Sequence, residues 1–462
     1  MDKVCDINKI FTDMCNYTSI NNLNETQLRN KKNGIHLSDA IYYKFLYAKL
    51  NTTKLSIVSQ INNINNTSFT KQSFESKENN IPTTLYENIF CKIVAFYNTN
   101  CNSENKNETV VAVDGTCSND IKYNVGLNMG YYNVTNEIPI DIVLEGSENR
   151  NKEVNSFIKY IKEHINKFKN VIFVCDRFYY TYELLKFLND NNLKYVIRVK
   201  GSGNNLSDVN IQTKNVKHKD IINVLHTKTR IIKCTNEYDK IVYNIKSKKE
   251  KQQKHYLKVK NDCILVTNLM DLDKYSDNKV LDLYRSRWSI EVFYKYLKFN
   301  FKFQHTNEKD KEKCERLNIC ELILIYIAKI LEHFYLKTIT ISSDTITKKN
   351  KEVKKCSVKI NKTNFTTGIF DVLLYDIIRG KLTKEVIVRF CKSYVHVTKN
   401  ETGRSYPRTS KKPFSKWYVK GYSIQSKLIT IIDAIVNGKL NDLDKNAKLI
   451  AKNIKIVKTE SY

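Results

Sequence analysis

The sequence predicts an α/β protein built on a mixed sheet. Two short apolar runs, Val110–Val113 and Val171–Cys175, read as buried strands, and each is followed by an aspartate. Amphipathic helical segments lie between and after them, as an α/β order requires. With 41% hydrophobic residues in 462, the chain can bury a core, which excludes global disorder. No apolar run reaches the roughly 18 residues of a membrane span, and the first residues lack a secretory apolar stretch, so an intracellular protein is expected.

The elements follow in order. His36–Leu50 places Leu37, Ile41, Phe45 and Leu50 near helical spacing and is expected as an amphipathic helix. A second helix is expected over 54–64, then a polar break at Asn65–Asn66, then a third helix capped by Thr67 or Ser68. Two short helices about a tight turn fit a helix-turn-helix, although any small helical domain produces the same pattern. Pro82 marks a linker before a helix through Leu85–Tyr97. Strands are then expected at Thr109–Asp114, Val125–Val134 and Ile138–Leu144, a helix at Val154–Phe168, and a strand at Val171–Asp176. A helix at Tyr179–Asp190 and a strand at Tyr195–Val199 complete the series. Three strands, helix, strand, helix, strand is the order of an RNase H-like core.

From Gly201 to about Lys260, alternating runs such as Arg230–Cys234 and Lys240–Ile245 predict a basic, β-rich insertion. A strand at Cys263–Asn268 and one helix from about Asn278 to Lys298 follow, then helical stretches at Leu317–Leu336 and Phe370–Arg379. The 12 cysteines are scattered, and no C-x-x-C pair occurs, so free and mostly buried thiols are expected rather than a zinc site.

Charge narrows the function. Lys and Arg number 77 against 48 Asp and Glu, a net +29 with a pI of about 9.4. Such an excess suits a polyanion, and nucleic acid is the obvious one. The competing explanation is a Lys- and Asn-rich composition inherited from an AT-rich gene. Composition leaves both standing.

The chemistry-bearing residues are more specific. Asp114 and Asp176 each close a predicted buried strand, where side chains enter the crevice beside an α/β sheet. Converging carboxylates demand a counter-cation, and an oxygen-only set suits Mg²⁺ or Mn²⁺. A single such aspartate is ordinarily a turn or helix cap; two in the correct sheet order shift the balance. On one helix, Tyr284, Arg287, Glu291 and Lys298 fall within about 60° of one another. An Arg287–Glu291 pair on a solvated face explains two of the four, but not the Tyr and Lys in register with them.

Tyr-x2-Arg-x3-Glu-x6-Lys over 284–298 resembles the signature of DDE transposases of the insertion-sequence-4 family. Ala112-Val-Asp114-Gly-Thr116, Asp176-Arg177 and Leu265-Val-Thr-Asn268 are similar to further landmarks of that group. One position departs: relatives have Asp-Arg-Gly-aromatic, whereas Phe178 stands in the glycine's place. The resemblance implies that Asp114, Asp176 and Glu291 are catalytic and bind metal, two Mg²⁺ or Mn²⁺ ions. Tyr284, Arg287 and Lys298 would contact DNA phosphates, and Trp288 would stack on an unpaired base or anchor the core. It further implies cut-and-paste transposition: cleavage at the terminal inverted repeats of an element, then strand transfer into target double-stranded DNA by a homodimer. The organisation expected is a helical DNA-binding region at 1–100, a catalytic core at 105–335 carrying the insertion at about 201–260, and a helical basic C-terminal region at 336–462. The alternative is a domesticated or inactive transposase-derived DNA-binding protein or nuclease.

Overall fold

The computed structural model describes residues 2–15, 34–101, 108–117, 125–146, 153–199, 221–224, 227–244, 253–303, 308, 310–336, 356–360, 362–399 and 408–409. The chain divides into two units, Met1–Thr235 with Asp262–Thr402, and Asn236–Asn261 with Gly403–Tyr462.

The first unit begins with five helices: α1 (Asp6–Cys15), α2 (Leu37–Tyr47), α3 (Lys54–Asn65), α4 (Lys71–Asn79) and α5 (Thr83–Asn100). The amphipathic helix expected from His36 is instead buried on nearly all sides; in α2 only Ser38 escapes full burial. Its polar members survive there because they are paired, Asp39 with Arg379 and Lys44 with Glu78. Helix α3 is opened by a capping box between Thr53 and Ser56 and closed by Asn66 in the left-handed region at φ 50°. The next helix starts later than expected. Asn62 accepts from the Phe69 amide at 3.1 Å and donates to its carbonyl at 2.8 Å, which ties 67–69 outside the helix, so Thr70 becomes the N-cap.

The sheet strands are β1 (Thr109–Cys117), β2 (Val125–Asn133), β3 (Ile138–Gly146), β4 (Val171–Cys175), β5 (Lys194–Arg198), β6 (Ile221–Val224), β7 (Thr227–Asn244) and β8 (Gln253–Thr267). Their order is β7-β8-β5-β4-β1-β2-β3, with β6 on β7. Strands β1, β4 and β5 run parallel, and β2, β3 and β8 antiparallel to their neighbours. Helices α6 (Glu153–His164) and α7 (Tyr182–Asp190) alternate with the parallel strands. Both faces of the sheet are covered. Val111, Val113, Phe173 and Cys175 bury against Phe157, Leu184 and Leu188 on one face; Val110, Ala112, Ile172 and Val174 belong to the larger core on the other.

That larger core is completed by α8 (Asp277–Ser286), α9 (Trp288–Asn300) and the long α10 (Lys311–Leu336). The C-terminal region, expected to be helical, also contains a two-stranded antiparallel sheet, β9 (Cys356–Ile360) with β10 (Val395–Lys399), around helical segments at 362–368, 374–378 and 384–394. Among the described residues no helix is long and apolar enough to cross a membrane. The cysteines whose side chains are described form no disulfide, and most are buried.

In the second unit, β11 (Arg408–Thr409) pairs in parallel with Lys240–Ile241 of β7. The lysine run at 246–251 and Arg404 lie outside the described residues, and nothing is described of the Lys254 side chain.

Candidate active site

Parallel pairing between β1 and β4 ends at Val113 opposite Cys175, so Asp114 and Asp176 stand side by side one residue further on. The strand expected to end at Asp114 continues to Cys117, because β2 goes on pairing with it: Asp114 lies opposite Gly130. Asp176 leaves its strand and caps a short 3-10 turn, its Oδ1 accepting from the Phe178 amide at 2.6 Å. Phe178 is absent from the positions of positive φ, and its ring is 43% exposed. This turn therefore has no conformational need for the glycine that the resemblance leads one to expect there.

Glu291 arrives from the opposite side on α9. The single helix expected over 278–298 is interrupted at Arg287. The Ser286 hydroxyl donates to the Leu283 carbonyl at 2.6 Å, the acceptor that the Arg287 amide would use; that amide turns to Tyr284 instead, at 3.1 Å. Tyr284 thus belongs to α8, while Glu291 and Lys298 belong to α9. Arg287 sits at the joint and donates to Glu291 Oε1 at 2.6 Å. Lys298 donates to Thr116 Oγ1 at 3.2 Å, two residues beyond Asp114. Tyr284 is half-buried and interacts with Arg198 at the end of β5.

Trp288 departs from this line. It is 52% exposed, with the Lys295 ammonium 5.1 Å from its ring centre, and it edges a cleft of about 450 Å³ with Val292, Phe293 and Tyr296. It is not a core anchor.

Three features escaped the sequence reading. Tyr294, fully buried, donates to the Asp114 carbonyl at 2.7 Å and lies across Gly130, where a Cβ would come within 2.4 Å of its hydroxyl. This contact fixes the height of α9 against β1. Arg230, assigned to the basic insertion, is only 2% exposed; it donates to the Leu269 and Tyr275 carbonyls and to Asp277, and so anchors the start of α8. Glu153, the first residue of α6, accepts from Tyr179 Oη at 2.9 Å and lies over Gly115, where its charge adds to that felt by Asp114.

The electrostatics follow from this crowding. Burial pushes the Asp114 carboxyl up to about 7; Arg287 opposes the shift, whereas Asp176, Glu153 and Glu291 add to it. Burial likewise raises Glu153, with Asp176 adding and Tyr179 opposing. Among the described residues no three His, Cys, Asp or Glu side chains are already arranged around a metal position, and Glu291 spends one oxygen on Arg287. The donor set nevertheless fits a hard divalent cation: it is all oxygen, crowded and short of positive charge.

Asn268 explains another landmark. It accepts from the Tyr195 amide and donates to the Leu193 carbonyl, extending sheet-like bonding where β8 ends and holding β5 in place beside β4.

No curated protein matches the chain. Residues 107–327, just under half of it, match the family model described as "Transposase DDE domain". That segment contains Asp114, Glu153, Asp176, Arg287, Glu291 and Lys298, and the match supports a DDE transposase.

Proposed function

We propose that this chain is a cut-and-paste DNA transposase with an RNase H-like core and the insertion-sequence-4 signature. On this reading, Asp114, Asp176 and Glu291 form the catalytic, metal-holding triad. The observation that carries the reading is the placement of Asp114 in β1 and of Asp176 just past the end of the adjacent parallel β4, with the Glu291 helix bonded through Tyr294 to the Asp114 carbonyl.

Each residue's work follows from its chemistry. Asp114 and Asp176 would hold divalent cations, and Glu291 would complete the donor set. Bound there, the cations supply Lewis acidity at the scissile phosphate and charge to offset the carboxylates. Arg287 orients Glu291 and offers guanidinium donors to a DNA phosphate, a geometry that suits bidentate binding. Lys298 adds a point charge beside Thr116, and Tyr284 marks the same edge from α8. Trp288 is exposed enough to stack on a base. The 1–100 helices would read element ends, and the net charge of +29 suits binding of both those ends and target DNA. Two copies would act together, one at each end.

The test uses purified full-length protein and a labelled duplex carrying the terminal repeat that flanks its gene. Cleavage at the repeat boundary is expected with Mg²⁺ or Mn²⁺ and not with EDTA. Binding without cleavage in either metal would reduce the protein to a DNA binder.

A further inference from the structure

The segment that follows Asp176 turns two large apolar side chains outward, Phe178 at 43% exposure and Tyr182 at 51%. A single exposed apolar residue is ordinary; two within six residues of one carboxylate make a patch. The backbone beneath the patch is tightly fastened. Asp176 Oδ1 accepts from the Phe178 amide at 2.6 Å, and the Asp176 carbonyl accepts from the Tyr179 amide at 3.2 Å. Tyr179 and Tyr180 are buried, and the Tyr179 hydroxyl donates to Glu153 at 2.9 Å. The Thr181 amide donates to the Tyr179 carbonyl at 2.9 Å, while the Thr181 hydroxyl caps α7 by accepting from the Leu184 amide at 3.3 Å. Arg177 and Phe178 are thus left facing solvent from a turn pinned on both sides. The Phe178 ring meets the Tyr179 ring edge-on, with centroids 6.1 Å apart and planes at 83°, which fixes its direction. This turn neither requires a glycine nor buries the phenyl group, so core packing does not account for Phe178.

We propose that Phe178 contacts the substrate: its ring stacks on a DNA base beside the scissile phosphate, while Arg177 meets the adjoining backbone phosphate. This rests on the transposase reading above. The bond from the Phe178 amide to Asp176 sets the ring next to the carboxylate that would hold the reacting phosphate, so the nucleotide presented there brings its base to the ring. Every base has a π-face, so a ring held in place accepts any of the four, and the neighbouring guanidinium offsets phosphate charge. The glycine that the resemblance leads one to expect has no ring to offer. The contact is therefore a property of this chain and not one that the resemblance implies.

Equilibrium binding of the full-length protein to labelled DNA in EDTA tests this without turnover. One duplex carries the terminal repeat that flanks the gene, cut at its boundary; its counterparts carry an abasic nucleotide at the first or the second position from the cut. Phe178→Ala keeps the backbone bond to Asp176 and should bind the intact duplex about ten-fold more weakly. On one of the abasic duplexes that penalty should vanish, because the ring's partner is already gone. Phe178→Tyr restores a ring and should bind as wild type, whereas Phe178→Leu, apolar without a π-face, should bind like the alanine variant. Equal binding by wild type and Phe178→Ala would overturn the proposal. So would a penalty that survives on every abasic duplex, or wild-type binding by Phe178→Leu. If wild type cleaves the repeat with Mg²⁺ while Phe178→Ala binds as wild type does, the stacking contact falls and the transposase reading stands. If wild type binds the repeat no better than scrambled DNA and cleaves neither with Mg²⁺ or Mn²⁺, the transposase reading falls, and the proposal with it.

Discussion

The same residue types are used in opposite ways at two places in the first unit. At the end of the parallel strands, burial raises Asp114 to about 7; Asp176, Glu153 and Glu291 add to the shift, and Arg287, which engages Glu291, opposes it. Between α2, α4 and α10, by contrast, Glu78 is paired with cations. Glu78 lies 3.4 Å from Lys44 and 3.6 Å from Arg316, all three nearly inaccessible. Nearby, Lys54 reaches Glu308 at 2.8 Å and Glu75 at 3.0 Å. Burial works to raise Glu308, but Lys54, Lys44 and Lys313 outweigh it and hold it below the usual range. The paired network holds helices together; the carboxylate cluster is destabilised by burial and repulsion, which on the proposed reading a bound cation would relieve. An unbalanced buried charge is a functional signal when its neighbours repeat the imbalance.

The contrast predicts opposite signs on removing a carboxylate. Glu78→Gln leaves Lys44 and Arg316 buried without a full counter-charge and should cost about 3–5 kcal/mol in urea unfolding. A change below about 1 kcal/mol would mean that the network is solvated in practice.

Gly130→Ala probes the joint between sheet and α9. A methyl group 2.4 Å from the Tyr294 hydroxyl must displace it, breaking the bond to the Asp114 carbonyl. A loss of about 1–3 kcal/mol, with weaker metal binding, is expected. Wild-type melting and metal affinity together would show that Tyr294 does not set the height of α9.

Asp114→Asn should instead stabilise the metal-free protein. The folded state raises this carboxyl, so it binds the proton more tightly than the unfolded chain does. Its contribution to stability is full below the ordinary carboxylate range and is lost as pH rises to about 7. In EDTA at pH 8 the variant should melt about 2–4 °C above wild type, with the difference closing on acidification to about pH 4. A variant that melts lower at pH 8 would contradict the crowding argument.

The smallest effect is expected of Lys298→Ala, which removes a cation but no carboxylate. DNA binding should weaken a few-fold and recover at low salt. An unchanged salt dependence would confine Lys298 to its bond with Thr116.

Legibility in the sequence followed how local each signal was. Strands β1 and β4 are continuous β-branched and apolar runs, so both the strands and their trailing aspartates were visible without any knowledge of packing. The order of strands and helices then gave the sheet. Helix α2 was misjudged because its polar residues find partners far along the chain, Asp39 with Arg379 for example. Arg230 was taken as part of the basic insertion because its burial depends on Tyr275 and Asp277. The kink at Arg287 turned on one hydroxyl, that of Ser286. Glu153 was overlooked because an acidic residue at a helix start has an ordinary explanation, and only the packing over Gly115 removes it.

The central claim is that the carboxylates at the sheet end perform metal-dependent cleavage, and Asp176→Asn tests it most directly. The amide can still accept from the Phe178 backbone, so the turn should persist while one negative charge disappears. With Mg²⁺ and a duplex carrying the element end, cleavage should fall at least about 10²–10³-fold with DNA affinity equal to or slightly above wild type. Equal cleavage by the two proteins would contradict the account and place any nuclease activity elsewhere.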